Sequence, residues 1–262
     1  MSNRSAKVLE IQIPKVGLLT RIIKKISSVV PEGYLIFVQP DDKNEKGGIV
    51  LQQLSEDKNI YVDLRLESKN FDSFVCVDKM IRIGIDLKKF FTVLNFFDDD
   101  VPVKFYMRRN SMETFYMRSD ETRPTKIDFN LTSVDEQQIP KLSIDGKCRF
   151  NVNRKAFHSI CREFNAIIEM VSITVTNDTM TFIAISKEIG IIEKSIDAKY
   201  VGKNPVKVQG SYDIGKILTF VDYIKNDGEI EIIMDKNFPL VLLFDVVKLG
   251  TMKVSFTPTE TS

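Results

Sequence analysis

The chain of 262 residues holds one histidine and three cysteines. Cys76, Cys148 and Cys161 are odd in number and far apart. They make neither a metal-ligand spacing nor a disulfide framework, and they fit a reducing compartment. With His158 as the lone imidazole, no Cys/His cluster or nucleophile–base pair is visible, and no glycine-rich phosphate loop occurs. These absences argue against an enzyme and against a resident metal or other cofactor. No apolar run reaches membrane-spanning length, and Met1–Ser5 has no apolar stretch behind it. Neither a membrane anchor nor a signal peptide is therefore expected. No dense Lys/Arg cluster offers a nuclear address. Neither sign of charge is in excess, with 37 Lys+Arg against 36 Asp+Glu. That excludes a uniformly basic nucleic-acid binder, but not a basic stripe balanced by acidic residues elsewhere.

What is present is a core-forming pattern. Apolar residues make up 43% of the chain, enough for one large or two modest domains. Val8 to Ile13 alternates as a strand does. From Val16 to Val30 the spacing becomes helical, with Leu19, Ile22, Ile23, Ile26 and Val30 on one face and Arg21, Lys24 and Ser28 opposite. Pro31-Glu32-Gly33 stops it. Strands follow at Tyr34–Val38, Ile49–Gln53, Ile60–Leu66, Phe71–Cys76 and Ile81–Ile85. A second helix carries Leu87, Phe90, Phe91, Leu94 and Phe97 on its apolar face, and Asp98-Asp99-Asp100 ends it. An acidic run after a helix reads as a solvated turn rather than a metal site. Val101–Met107 and Met112–Met117 form a hairpin around Arg109-Asn110-Ser111.

The stretch from Ser119 to Lys147 shows little periodicity, and is too long for an ordinary connection inside one domain. Beyond it the pattern recurs. Lys147–Val152 is a strand, and Asn153 N-caps a third helix with Phe157, Ile160, Cys161, Phe164 and Ile168 buried. Strands Ser172–Thr176, Thr179–Ser186 and Ile191–Ala198 follow. A fourth helix turns Ile214, Ile217, Leu218, Val221 and Ile224 inward and Lys216 outward. Strands Glu229–Met234, Leu240–Val246 and Thr251–Thr257 close the chain. Helix, acidic or Asn-Asp-Gly break, strand, turn and strand occur in both halves at a spacing of roughly 130 residues, a domain duplication rather than a solenoid. The expected fold class is α+β. The expected division is 1–127, a connecting loop 128–145, and 146–262.

The residues carry a family resemblance. Phe157-His158-Ser159-Ile160-Cys161-Arg162-Glu163-Phe164 resembles the first helix of the second domain of proliferating cell nuclear antigen, the eukaryotic DNA sliding clamp. Ser211 to Phe220 is similar to its last helix, Pro239-Leu240-Val241 and Phe256-Thr257-Pro258 to its closing strands, and Val134 to Pro140 to its interdomain connector. Ile81–Leu94 and Leu51–Leu54 match the first domain more loosely. The resemblance implies two tandem clamp domains, with helices on the inner face and β-sheets on the outer face of a ring of three copies. It implies a non-enzymatic protein without cofactors that encircles double-stranded DNA without sequence preference. A clamp loader, DNA polymerase and other clients bearing short peptide motifs would be its partners in replication and repair. The place of action would be the nucleus or a viral replication site.

Arg21, Lys24, Lys25, Lys88, Lys89, Arg162 and Lys216 are the expected DNA contacts, holding phosphates without reading bases. The resemblance also implies a client pocket formed by Leu54, Tyr61, Gln137, Ile139, Pro140, Pro239 and Pro258. Gln137 and Ser255 depart from the family, where a leucine and an aromatic residue are usual, so a different client preference is expected. Asn177 where the family commonly carries a modifiable lysine, a short tail after Pro258 without the usual acidic run, and the charged hairpin Pro40–Gly48 point to a divergent or viral member. Met112–Ser119 and Ile191–Ala198 are the expected edge strands that pair between copies. Competing readings are a monomeric processivity factor, one subunit of a heteromeric checkpoint-type clamp, and a single-strand binder whose phenylalanines would stack on bases.

Overall fold

Buried and half-exposed residues alternate along Lys7–Ile13, which is strand β1 of the computed structural model. The structure describes residues 6–40, 47–120, 124–139, 143–144, 147–202, 206–222, 228–246 and 249–259. Two units are distinguished. One gathers Met1–Glu56, Val62–Ile139 and Asp245–Met252, the other Asp57–Tyr61, Pro140–Phe244 and Lys253–Ser262.

In the first unit, helix α1 (Val16–Ser27) buries Leu19, Ile22, Ile23 and Ile26 on the face their spacing predicts. It ends before Val30, the expected last residue. Pro31 disfavours helical backbone at the residue before it. The chain unwinds through tight bonds from the Ser28 N–H to Lys25 O and from the Val29 N–H to Ile26 O. Strands β2 (Glu32–Val38), β3 (Gly48–Leu54), β4 (Ile60–Glu67), β5 (Ser73–Cys76) and β6 (Met80–Asp86) lead to α2 (Leu87–Leu94). Strands β7 (Val103–Arg108), β8 (Ser111–Arg118) and β9 (Lys126–Asn130) follow. β5–β1–β7–β8–β9 is one sheet, and β6, β2, β3 and β4 are neighbours in another. Helices α1 and α2 pack on each other. Phe115 of β8 stacks on Phe105 with ring centroids 5.5 Å apart, and lies 5.8 Å from Phe37 and 6.3 Å from Phe90 of α2. One aromatic cluster thus ties both sheets to a helix.

Strand β9 qualifies the expectation that Ser119–Lys147 has little periodic structure. It has five residues and pairs with β8 from Thr114↔Asn130 to Arg118↔Lys126. Phe129 is its one buried side chain, too few inward residues for an alternation to stand out.

The acidic run after α2 has a role that its own helix does not explain. The N-cap of α1 is Lys15, whose side chain caps nothing, and the first turn of α1 holds no acidic residue. Instead Val101 O and Asp99 O accept from the N–H groups of Val16 and Gly17 at 3.2 and 2.9 Å. Asp100 pairs with Lys15 at 2.7 Å and Asp99 with Arg21 at 3.0 Å. The end of α2 therefore supplies the acceptors and negative charge that the start of α1 needs. A Cβ on Gly17 would lie 2.5 Å from Asp99 Cγ, so only glycine leaves room for this approach.

The second unit repeats the plan. It runs β10 (Cys148–Asn153), α3 (Arg154–Asn165), β11 (Met170–Val175), β12 (Thr179–Ser186), β13 (Gly190–Tyr200), β14 (Val208–Asp213), α4 (Ile214–Val221), β15 (Glu229–Met234), β16 (Leu240–Val246) and β17 (Gly250–Phe256). The sheet order here is β14–β11–β12–β13–β10–β15–β16. Asn153 caps α3 as expected, its Oδ1 accepting from the Ala156 N–H at 3.0 Å. Asp86 and Asp213 cap α2 and α4 in the same way. Phe157, Ile160, Cys161 and Phe164 are buried, and Phe157 and Phe164 meet Phe182 at 5.9 and 6.0 Å. Burial, with the Asp222 charge nearby, pushes the Cys161 thiol far up, so it is an inert core group. Ile168 lies beyond the end of α3 and is half-buried; Ile224 falls outside the described residues. Phe220, not expected in the core, is fully buried. Helices α3 and α4 pack together.

Candidate functional site

The polar faces of the helices hold the nominated cations in unequal electrostatic states. Arg21, Lys24, Lys88, Lys89 and Arg162 are exposed, while Lys25 and Lys216 are half-buried. Arg21 is engaged by Asp99, and Lys89 by Asp86 at 3.2 Å. Lys216 reaches Asp57 at 2.5 Å and Asp213 at 3.9 Å, and the hydrogen bond to Asp57 pushes its ammonium up. Among the described residues, no carboxylate lies within ion-pair distance of Lys24, Lys25, Lys88 or Arg162. These four are the cations open to an external anion. Lys24 rests over the Phe91 ring at 5.8 Å, its stem on apolar surface and its charge in water. His158 contacts Asp222 Oδ1 at 2.5 Å. Phe90 and Phe97 are buried, so they offer no stacking surface to a single strand.

The connector is strapped to the first unit by residues that the sequence pattern did not single out. The Thr132 N–H donates to Gly84 O at 3.0 Å, and a Cβ on Gly84 would stand 2.1 Å from Thr132 O. Val134 is buried, and Tyr34 Oη donates to its carbonyl at 2.5 Å. Arg82 covers the Tyr34 ring at 3.5 Å and pairs with Glu136 at 2.8 Å. Gln137 Oε1 then accepts from the Leu54 N–H at 3.0 Å. Of the nominated pocket residues, Leu54 and Gln137 are thus brought together by a bond that a leucine could not make. Nothing local marks Tyr34 or Arg82, since their partners lie on a segment remote in sequence. Removing the hydroxyl in Tyr34→Phe should cost about 1 kcal/mol of stability and speed protease cleavage within 132–139. Unchanged cleavage would show that the strap does not hold the connector.

Ile139, Tyr61, Pro239 and Pro258 are half-buried, and Pro140 lies outside the described residues. Within the second unit, Pro258 lines a cavity of about 480 Å³ with Ser211, Tyr212, Asn237 and Phe238. Burial pushes the Tyr212 hydroxyl up to about 12, so it is a neutral donor facing that space. The Thr259 N–H donates to Ser211 O at 2.9 Å and holds the segment after Pro258 against β14.

The strand edges differ from expectation in one place. Met112–Ser119 is not an edge, because β8 is paired on both sides, with β7 and with β9. The outer strand of that sheet is β9. In the second unit, β13 pairs with β12 over Gly190–Asp197 but with β10 only over Ala198–Tyr200. Ile191–Asp197 therefore keeps one open side among the described residues.

Paired helices backed by antiparallel sheets, occurring twice in one chain, define a duplicated α+β protein of the DNA-clamp fold. Residues 8–139, half of the chain, match the family described as proliferating cell nuclear antigen, N-terminal domain. The chain belongs to the proliferating cell nuclear antigen family. It is 28% identical to a probable DNA polymerase sliding clamp of Acanthamoeba polyphaga mimivirus over 290 positions, covering 97% of this chain and 62% of that protein. It thus spans less than two thirds of that relative's length. Probable DNA polymerase sliding clamp 1 of Paramecium bursaria Chlorella virus 1 is 20% identical, with 80% of this chain and 84% of that one covered. The crystal structure of proliferating cellular nuclear antigen from Entamoeba histolytica superposes with a TM-score of 0.83 at 16% identity, over 97% of this chain and all of that one. That likeness speaks to the fold alone.

Proposed function

We propose that this chain is a DNA sliding clamp, a processivity factor that closes with two further copies around duplex DNA and tethers polymerases and other DNA enzymes there. The observation that carries this reading is the state of Lys24, Lys25, Lys88 and Arg162. Each stands on the polar side of a helix whose other side is buried, and each lacks a carboxylate within ion-pair distance among the described residues. Such cations attract phosphate without reading a base, which suits a protein that must move along any sequence. Arg21, Lys89 and Lys216 contribute less, because their charges are already met.

The subunit contacts would be made by β9 and the open side of β13, both of which offer unpaired backbone groups among the described residues. Clients would dock through Leu54, Gln137 and Ile139 of the first unit and through Tyr61, Pro140, Pro239 and Pro258 of the second, the residues the family resemblance nominates. The viral relatives support a place at viral DNA replication, with a clamp loader to open the ring. No chemical step is assigned to the chain. Sedimentation of the full chain at micromolar concentration tests the assembly. Three copies per particle is the expected result, and a persistent monomer overturns the ring.

A further inference from the structure

The solvent face of the β5–β1–β7–β8–β9 sheet carries a pattern that encircling DNA does not call for. Register places Lys104 directly opposite Arg118, and Arg118 directly opposite Lys126. Three cations thus stand in one row across adjacent strands spaced about 4.8 Å apart. Like charges facing each other across a sheet destabilise it; Glu10 beside Lys104 and Asp128 on Arg118 offset part of that repulsion, and the face still carries more cations than carboxylates. Beside it, Tyr106 and Tyr116 stack at 4.9 Å and 8°. The guanidinium of Arg108 lies 5.5 and 5.1 Å from these two rings, and that of Arg118 5.7 and 5.4 Å. Arg118 is spent on the protein itself, donating to Met117 O at 2.8 Å and to Ile127 O at 2.6 Å and pairing with Asp128, whereas Arg108 is exposed beside the rings. Among the described residues, neither Arg108 nor Lys126 has a carboxylate within ion-pair distance.

We propose that this face is a docking surface for an acidic peptide segment of a partner protein, read by Lys104, Arg108 and Lys126, with Arg118 a fixed positive charge behind them. Two observations select a peptide over nucleic acid. Tyr106 is only 7% exposed, and the tyrosine faces are taken by each other and by the guanidinium groups, so a base finds no ring to stack on. Glu10 and Asp128 also stand within the cation set, 4.0 Å from Lys104 and paired with Arg118 respectively. A continuous polyanion would press phosphates against both carboxylates. A peptide can set its own carboxylates against the cations and neutral residues against Glu10 and Asp128. The site lies on the side of the sheet away from Phe105 and Phe115, which face the core. It does not depend on the proposed grip of DNA.

The test uses the full chain and a fluorescent peptide alternating glutamate and serine. Wild type is expected to bind it. The double variant Lys104→Thr and Lys126→Thr is expected to lose at least about tenfold in affinity while its thermal midpoint rises, because facing like charges have gone. Arg108→Ser, which leaves the row intact but removes its contact with the two rings, is expected to weaken binding with a midpoint that does not rise. No binding by wild type, or equal affinity in the variants, overturns the proposal. So does loss of duplex DNA binding in the double variant with peptide binding unchanged, which would make the occupant nucleic acid. A change in sedimentation accompanying the loss would assign the row to self-association and likewise overturn it.

Discussion

Reversing Lys24, Lys88 and Arg162 together to glutamate is expected to reduce retention on DNA by at least about a hundredfold at moderate salt, with folding unchanged. A unit charge pair at contact in water contributes about 1 kcal/mol, which each reversal changes twice, as attraction lost and as repulsion gained, before screening reduces it. Each phosphate contact removed should also lower the salt dependence of log K by about 0.9. These three are chosen because no carboxylate is within ion-pair distance of them among the described residues. Arg21→Glu would set a new carboxylate beside Asp99, which pairs with Arg21 at 3.0 Å. Lys216→Glu would set one beside both Asp57 and Asp213. Either reversal mixes a folding defect into the result. Filter retention or polymerase run length across a salt series is the measurement. Retention equal to wild type, with an unchanged salt slope, would remove the helix faces from DNA binding.

Phe115→Ala is expected to cost about 3–5 kcal/mol, a large part of the 5–15 kcal/mol that usually separates folded from unfolded. Phe115 is 2% exposed and touches rings from two sheets and α2. No single neighbour can move in to close the space. Phe91→Ala provides the contrast. The helical period places Phe90 and Phe91 on the same apolar face, but Phe90 is 1% exposed while Phe91 is half-buried under Lys24. Its truncation should cost less than half as much. Urea unfolding of both variants reads the difference, and similar midpoints for the two would show that the cluster is not the keystone of the first unit.

Much of the architecture could be read without coordinates. Four helices and nearly all strands follow from local period, and Asn153 announced its cap. The duplication was visible because it repeats those periods in order. Strand β9 escaped because Lys-Ile-Asp-Phe-Asn buries one residue, and a strand so short is defined by its neighbour. That omission moved the edge of the first sheet onto β8, which register shows to be flanked on both sides.

The site was legible in kind but not in detail. Residue type and helical face nominated seven cations. Which of them are open depends on Asp99, Asp86, Asp57 and Asp213, and in the cases of Arg21 and Lys216 a partner lies 78 or 159 positions away. The same holds for Asp99 and Asp100, whose charges serve the start of α1 rather than the end of α2, and for Tyr34, which holds a carbonyl 100 positions onward.

By itself, then, the order of amino acids determined the helices, the repeated plan and the balance of charge, because these depend on neighbours within a few residues. Folding decided which cation is spent, which strand is outermost and where the connector is tied. Those outcomes depend on groups that meet only when distant segments are brought side by side.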